Sequence, residues 1–141
     1  MEVANVQNDS NRLTKNGIPL ICLIVDDSAF ARFRMKKMME SFNCVSSEAA
    51  NGLEAIAEYQ RLKPDLVLMD IVMPDLEGIE TVRQICAADP DARIIMISSV
   101  CYQEKIEEAM AAGARCFIPK PVTTDRLRQA IEEACRAENA A

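Results

Sequence analysis

A regular alternation of short apolar runs with stretches of helical periodicity constrains this chain more than any single motif does. Five runs read as strands: PLICLIV (19–25), CVSSEA (44–49), LVLM (66–69), RIIMIS (93–98) and RCFI (115–118). Each is followed by an amphipathic segment. After Ala31, Met35, Met38 and Phe42 recur at helical spacing, with Arg32, Arg34, Lys36 and Lys37 on the other face. Asn51 and Gly52 turn the chain into a second helix with Leu53, Ile56 and Ala57 inward. Ile79, Val82, Ile85 and Cys86 line a third that stops before Asp89-Pro90. Ile106, Ala109 and Met110 line a fourth, ended by Gly113, and Thr123 or Thr124 caps a fifth carrying Leu127, Ile131 and Ala134. The order βαβαβαβαβα implies an α/β fold, a doubly wound parallel five-stranded sheet covered on both faces and joined by right-handed crossovers. The alternation of CVSSEA marks an edge strand. Pro119 puts the fifth strand at an edge too, because proline cannot donate to a central ladder.

In an open sheet of this kind the site lies beyond the carboxyl ends of the strands. What stands there is Asp26-Asp27 after the first strand, Asp70 after the third, Ser98-Ser99 at the fourth and Lys120-Pro121 at the fifth. Taken singly these are ordinary: an Asp pair is commonly a helix cap, a strand-end Ser a local cap, a lone Lys a solvated one. Their joint order on successive strand ends is not ordinary. If the first and third strands are neighbours, their terminal carboxylates lie within about 4.8 Å, one strand spacing. Two such charges about 4 Å apart repel by roughly 4 kcal/mol at an effective dielectric near 20. A hard divalent cation with oxygen ligands relieves this, and Mg²⁺, which accepts carboxylates together with phosphate oxygens, suits the set. Asp70 then faces an incoming phosphoryl group as a nucleophile, with Lys120 and the Ser98 hydroxyl sharing the charge.

The 141 residues, half of them hydrophobic, suit one domain, expected over 18–137, with a flexible polar leader over 1–17 and a short tail over 138–141. No stretch reads as a signal peptide or a membrane span, so a cytoplasmic location is expected. The six cysteines are far apart, with no CxxC pair, and read as small apolar side chains, with Cys101 the candidate surface thiol. The methionines at 35, 38, 39 and 110 read as core or interface packing. Histidine is absent, which removes Ser-His-Asp and Cys-His catalysis and any role as a phosphohistidine carrier. A net charge of −6 argues against direct binding of nucleic acid.

Over about residues 21–135 the sequence resembles the receiver domain of two-component response regulators, and within that family the single-domain chemotaxis, CheY-like type. The resemblance is carried by VDDSAFAR (25–32), LVLMDIVMPDLEG (66–78), IIMISS (94–99) and AGARCFIPKP (112–121). It implies a flavodoxin-like fold with strand order 2-1-3-4-5. It also implies that Asp70 accepts a phosphoryl group from a histidine kinase, while Asp26, Asp27, Asp70 and the backbone carbonyl of Val72 hold Mg²⁺. Ser98 and Lys120 would contact the phosphoryl oxygens, Lys120-Pro121 would be cis, and Ser98 and Phe117 would form the switch. Three positions depart from the family's habit: Val72 where a polar residue is common, Val100 two beyond the switch serine, and Pro119 before Lys-Pro.

With no output domain in the sequence, the phosphorylated form is expected to act as a monomer by binding another protein, a flagellar switch or chemotaxis kinase in the chemotaxis reading. A standalone relay intermediate or a regulator of another process is the runner-up. A haloacid-dehalogenase-like phosphohydrolase would need DxD, and position 72 is Val. A flavodoxin-like cofactor binder would need a phosphate loop after the first strand, where Asp26-Asp27 would repel it.

Overall fold

The computed structural model describes residues 13–73, 76–99 and 102–136. A two-stranded hairpin, β1 (Thr14–Lys15) and β2 (Ile18–Pro19), precedes the main sheet. The sheet comprises β3 (Ile21–Val25), β4 (Val45–Ala49), β5 (Leu66–Met69), β6 (Ile94–Ser98) and β7 (Cys116–Pro119). Between and after its strands run α1 (Ala29–Ser41), α2 (Gly52–Leu62), α3 (Gly78–Ala88), α4 (Gln103–Ala112) and α5 (Thr124–Arg136). All pairings in this sheet are parallel and the order is β4-β3-β5-β6-β7, which is 2-1-3-4-5 when its five strands are counted alone. Both expected edge strands, β4 and β7, are at the edges.

Alternate residues of the strands feed two cores. Cys22, Ile24, Leu66, Leu68, Ile95, Ile97 and Ile118 meet Met35, Met39 and Phe42 of the α1 segment and Leu127, Ala130 and Ile131 of α5. On the opposite face Leu23, Val25, Val67, Met69, Ile94 and Met96 meet Ala55 and Tyr59 of α2, Ile79, Val82 and Ile85 of α3 and Ala109 of α4. Burying each large aliphatic side chain contributes about 1.5–3 kcal/mol, so two such layers hold the strand ends in fixed register.

Several inward faces differ from expectation. In α1 Met39 is fully buried beside Met35, and Met38 packs half-buried against the same core. In α2, Leu53 is 62% exposed and Ala57 also faces out, while Ala55 and Tyr59 pack inward. Gly52 sets that phase: a Cβ there would collide with the Thr81 hydroxyl of α3, so the glycine faces inward and positions three and seven residues on share its face. Met110 of α4 is likewise exposed.

The leader expected over 1–17 is corrected at its last five residues. Leu13 is fully buried in the α1/α5 core, its N–H donates to the Phe42 carbonyl at 2.9 Å, and Thr14 and Lys15 pair antiparallel with Pro19 and Ile18. The turn between them holds Asn16 at φ 55° and Gly17 at φ 80°, the pair of left-handed residues a tight hairpin takes. Residues 1–12, the tail beyond Arg136 and the candidate thiol Cys101 lie outside the described residues. The other five cysteines are buried or half-buried and unbridged. Burial pushes the Cys44 thiol up to about 12, which fits a packing role. No helix among the described residues is long and apolar enough to cross a membrane.

Candidate functional site at the carboxyl edge of the sheet

Register brings the acids together before any side chain is considered. Val25 of β3 pairs with Met69 of β5, so the next residues, Asp26 and Asp70, emerge side by side. The ladder continues one step past the strands, with Asp70 N–H donating to the Val25 carbonyl at 2.9 Å and Asp26 N–H to the Ala49 carbonyl at 3.2 Å. Carboxylate oxygens of Asp26, Asp27 and Asp70 all lie within 4.8 Å of one another. Asp26 and Asp70 are buried, at 1% and 7% exposure, and Asp27 is exposed.

Asp26 is held at every polar atom. One carboxylate oxygen accepts from the Ser28 N–H at 2.9 Å, the other from Lys120 Nζ at 2.9 Å, and its carbonyl accepts from Arg32 Nη1 at 2.6 Å. Ser28 caps α1, its hydroxyl accepting from the Ala31 N–H. Lys120 arrives from β7, where its N–H donates to the Ser98 carbonyl at 3.0 Å, and the Lys120-Pro121 bond is cis. Its Nζ also lies 3.8 Å from Asp70 Oδ1. Ser98, fully buried, ends β6 opposite Pro119.

Burial raises the Asp70 carboxyl to about 6, and the Asp26 carboxylate pushes it the same way; Lys120 and the Ile71 backbone N–H oppose them, and Asp27 adds a smaller upward push. Three carboxylates against one ammonium leave two negative charges uncompensated in the cluster. An all-oxygen donor set with that residual charge and one solvent-facing member fits a hard divalent cation. Among the described residues no other group of acids, cysteines or histidines is so placed.

The remaining expected residues are placed less directly. Val72 follows Asp70 in the loop, its side chain 59% exposed. Phe117 pairs with Met96 in the sheet and packs half-buried against the core on the side of α2, α3 and α4. Val100 lies outside the described residues. Two residues inside the quoted motifs were given no role. Arg32 reaches back from the first turn of α1 to the Asp26 carbonyl; its position four residues after the Ser28 cap was the available signal. Gly78 opens α3 and donates to the Ile71 carbonyl at 2.8 Å, and a Cβ on it would fall on the Asp70 carbonyl oxygen. A glycine at the first helical position, where Pro or a good helix former is usual, marks that close approach.

Comparison with known proteins agrees with this geometry. A family model, the response regulator receiver domain, matches residues 22–132. The chemotaxis protein CheY of Listeria monocytogenes is 43% identical over 115 residues, covering 81% of this chain and 97% of its own. CheY of Thermotoga maritima is 43% identical over 112 residues, covering 79% and 93%. Among solved structures, a CheX–CheY–BeF₃–Mg²⁺ complex from Borrelia burgdorferi aligns with a TM-score of 0.78 at 35% identity, over 83% of this chain and 90% of that one. The strand order, the acid-lined edge and the matched span point one way, and the chain belongs to the response regulator receiver domains of two-component signalling, with CheY chemotaxis proteins among its homologues.

Proposed function

We propose that Asp70 is the phosphoryl acceptor of this domain, taking the group from a histidine kinase, and that the phosphorylated form binds a target protein. The observation that carries the reading is the convergence of Asp26, Asp27 and Asp70 within 4.8 Å, with Lys120 Nζ 3.8 Å from Asp70. One Asp70 oxygen attacks phosphorus, an acyl phosphate forms, and the bond from phosphorus to the donor's leaving group breaks in line with it. The Lys120 ammonium, already between Asp26 and Asp70, shares the charge that builds on the phosphoryl oxygens, and the Ser98 hydroxyl donates to one of them. Asp26, Asp27 and Asp70, with the Val72 carbonyl, would hold Mg²⁺, which when bound offsets the carboxylates and the incoming phosphoryl charge. Beyond this self-catalysed transfer and its hydrolysis no separate enzymatic activity is assigned.

Phosphorylation adds up to about two negative charges and strong acceptor oxygens, so Ser98 gains a partner available only in the modified state. Its movement would free Phe117 to turn inward and reshape the surface of α4, β7 and α5, where the target binds. Homology to CheY proteins favours a chemotaxis target such as a flagellar switch or the chemotaxis kinase. That a solved relative, the CheY of Borrelia burgdorferi, is found in a complex with CheX supports a protein partner.

The test is labelling with acetyl phosphate. Wild type is expected to label only with Mg²⁺ and Asp70→Asn not at all. Full labelling of Asp70→Asn, or labelling indifferent to chelation, would overturn the acceptor and the metal site.

A further inference from the structure

We infer that Arg32 is a positioning residue for the acidic pair: its guanidinium fixes the turn between β3 and α1 so that Asp26 and Asp27 present their carboxylates together. The inference rests on the metal reading above. Arg32 uses two arms of its planar fork on two different elements. Nη1 donates to the Asp26 backbone carbonyl at 2.6 Å, and Nε donates to Glu48 Oε1 of the edge strand β4 at 2.9 Å. The side chain is 17% exposed, and Glu48 pairs with Ile24 in register, two residues before Asp26 on the neighbouring strand. Lys36 Nζ stands 4.0 Å from the other Glu48 oxygen.

The geometry has a purpose that charge alone does not explain. A cation beside an acidic metal site competes with the metal, so a freely acting guanidinium there would weaken binding. Here its nearest carboxylate is Glu48, which balances it, and its contact with the acidic turn is to a backbone carbonyl. Among the described residues no side-chain hydrogen bond or ion pair orients Asp27, the exposed member of the cluster, so its direction depends on the backbone that Arg32 and the Ser28 cap hold. A lysine could reach either acceptor but not both at fixed angles, because an ammonium lacks the fork.

Position and charge therefore predict opposite signs. Mg²⁺ binding to the metal-free domain would be measured by calorimetry for wild type, Arg32→Lys, Arg32→Ala and Glu48→Gln, with thermal melting of each and hydrogen exchange of the Ser28 amide without metal. If Arg32 positions the acids, Arg32→Lys weakens Mg²⁺ by about ten-fold, as removal of an outer partner commonly does, and Arg32→Ala by at least as much. Both should speed Ser28 exchange. Glu48→Gln, the mildest change, should show a smaller loss in the same direction. Unchanged affinity in Arg32→Lys, or tighter binding in Arg32→Ala, would overturn the inference and leave Arg32 a countercharge. Wild type that binds no Mg²⁺ would remove the metal reading and this inference with it, whereas normal wild-type binding with a normal Arg32→Lys removes this inference alone.

Discussion

At Asp70, burial and the Asp26 carboxylate oppose ionisation, and the Lys120 ammonium and Ile71 N–H favour it. The balance leaves the folded carboxyl at about 6, above the ordinary value near 3.9 expected unfolded. The folded state thus holds this proton more tightly. Its full stability is present below pH about 4, where Asp70 is protonated in both states, and is lost as pH rises through about 6. Asp70→Asn should therefore unfold later than wild type at pH 7.5 in chelator, by roughly 1–2 kcal/mol after allowing for solvent screening, and with no gain at pH 4. Urea titrations at the two pH values check this; an equal gain at both would assign the effect to packing. Hydrolysis of the acyl phosphate proposed at Asp70 needs a water held in line with the carboxylate. Val72, two residues beyond Asp70, is 59% exposed and offers an approaching water no hydrogen bond. Decay of the phosphorylated domain should be slower than in the double variant Val72→Asn with Val100→Glu by about ten-fold, or 1.4 kcal/mol of barrier. Following phosphate loss from both at one temperature decides it, equal rates placing control of the water elsewhere.

Gly78 lets α3 start against the Asp70 backbone. Gly78→Ala forces the two apart, and an expected loss of about 1–3 kcal/mol should come with weaker acetyl phosphate labelling. Denaturant midpoints together with labelling rates test this; a stable, fully labelled variant would mean the loop can shift freely. At this scale much was legible. Strand positions followed from apolar runs flanked by polar residues, and α5 showed its stripe of Leu127, Ile131 and Ala134 because charged residues fill the rest of its turns. The face of α2 was not legible: Leu53 is the more apolar residue, but the phase is dictated by the contact between Gly52 and α3, which is tertiary. The hairpin was read as part of a flexible leader: Asn16-Gly17 is a turn signal, but two-residue strands show no alternation to go with it. Among site residues the strand-end acids and Lys120 could be read because sheet topology alone gathers them. Arg32 was harder to read: its place four residues after the Ser28 cap was the one signal, and its partners, a backbone carbonyl and Glu48 of the next strand, leave no pattern in the sequence.

Across the whole molecule the chemistry occupies one rim of the sheet and the hairpin closes the other. Leu13 meets Phe42 at the C-terminal end of α1, and the acidic turn meets Ser28 at its N-terminal end, 13 helical residues or about 20 Å away. Leu13→Ala should cost about 2–4 kcal/mol, as removal of a fully buried leucine does, while labelling of the folded fraction stays at the wild-type rate. Unchanged stability would show that the hairpin lies on the core without supporting it. The separation also makes the domain a molecule with a handle and a working end. A surface or fluorophore attached ahead of Leu13 would grip it at the closed pole and leave the acid-lined rim open, so a tethered array of this protein should be labelled by acetyl phosphate as readily as the protein in solution.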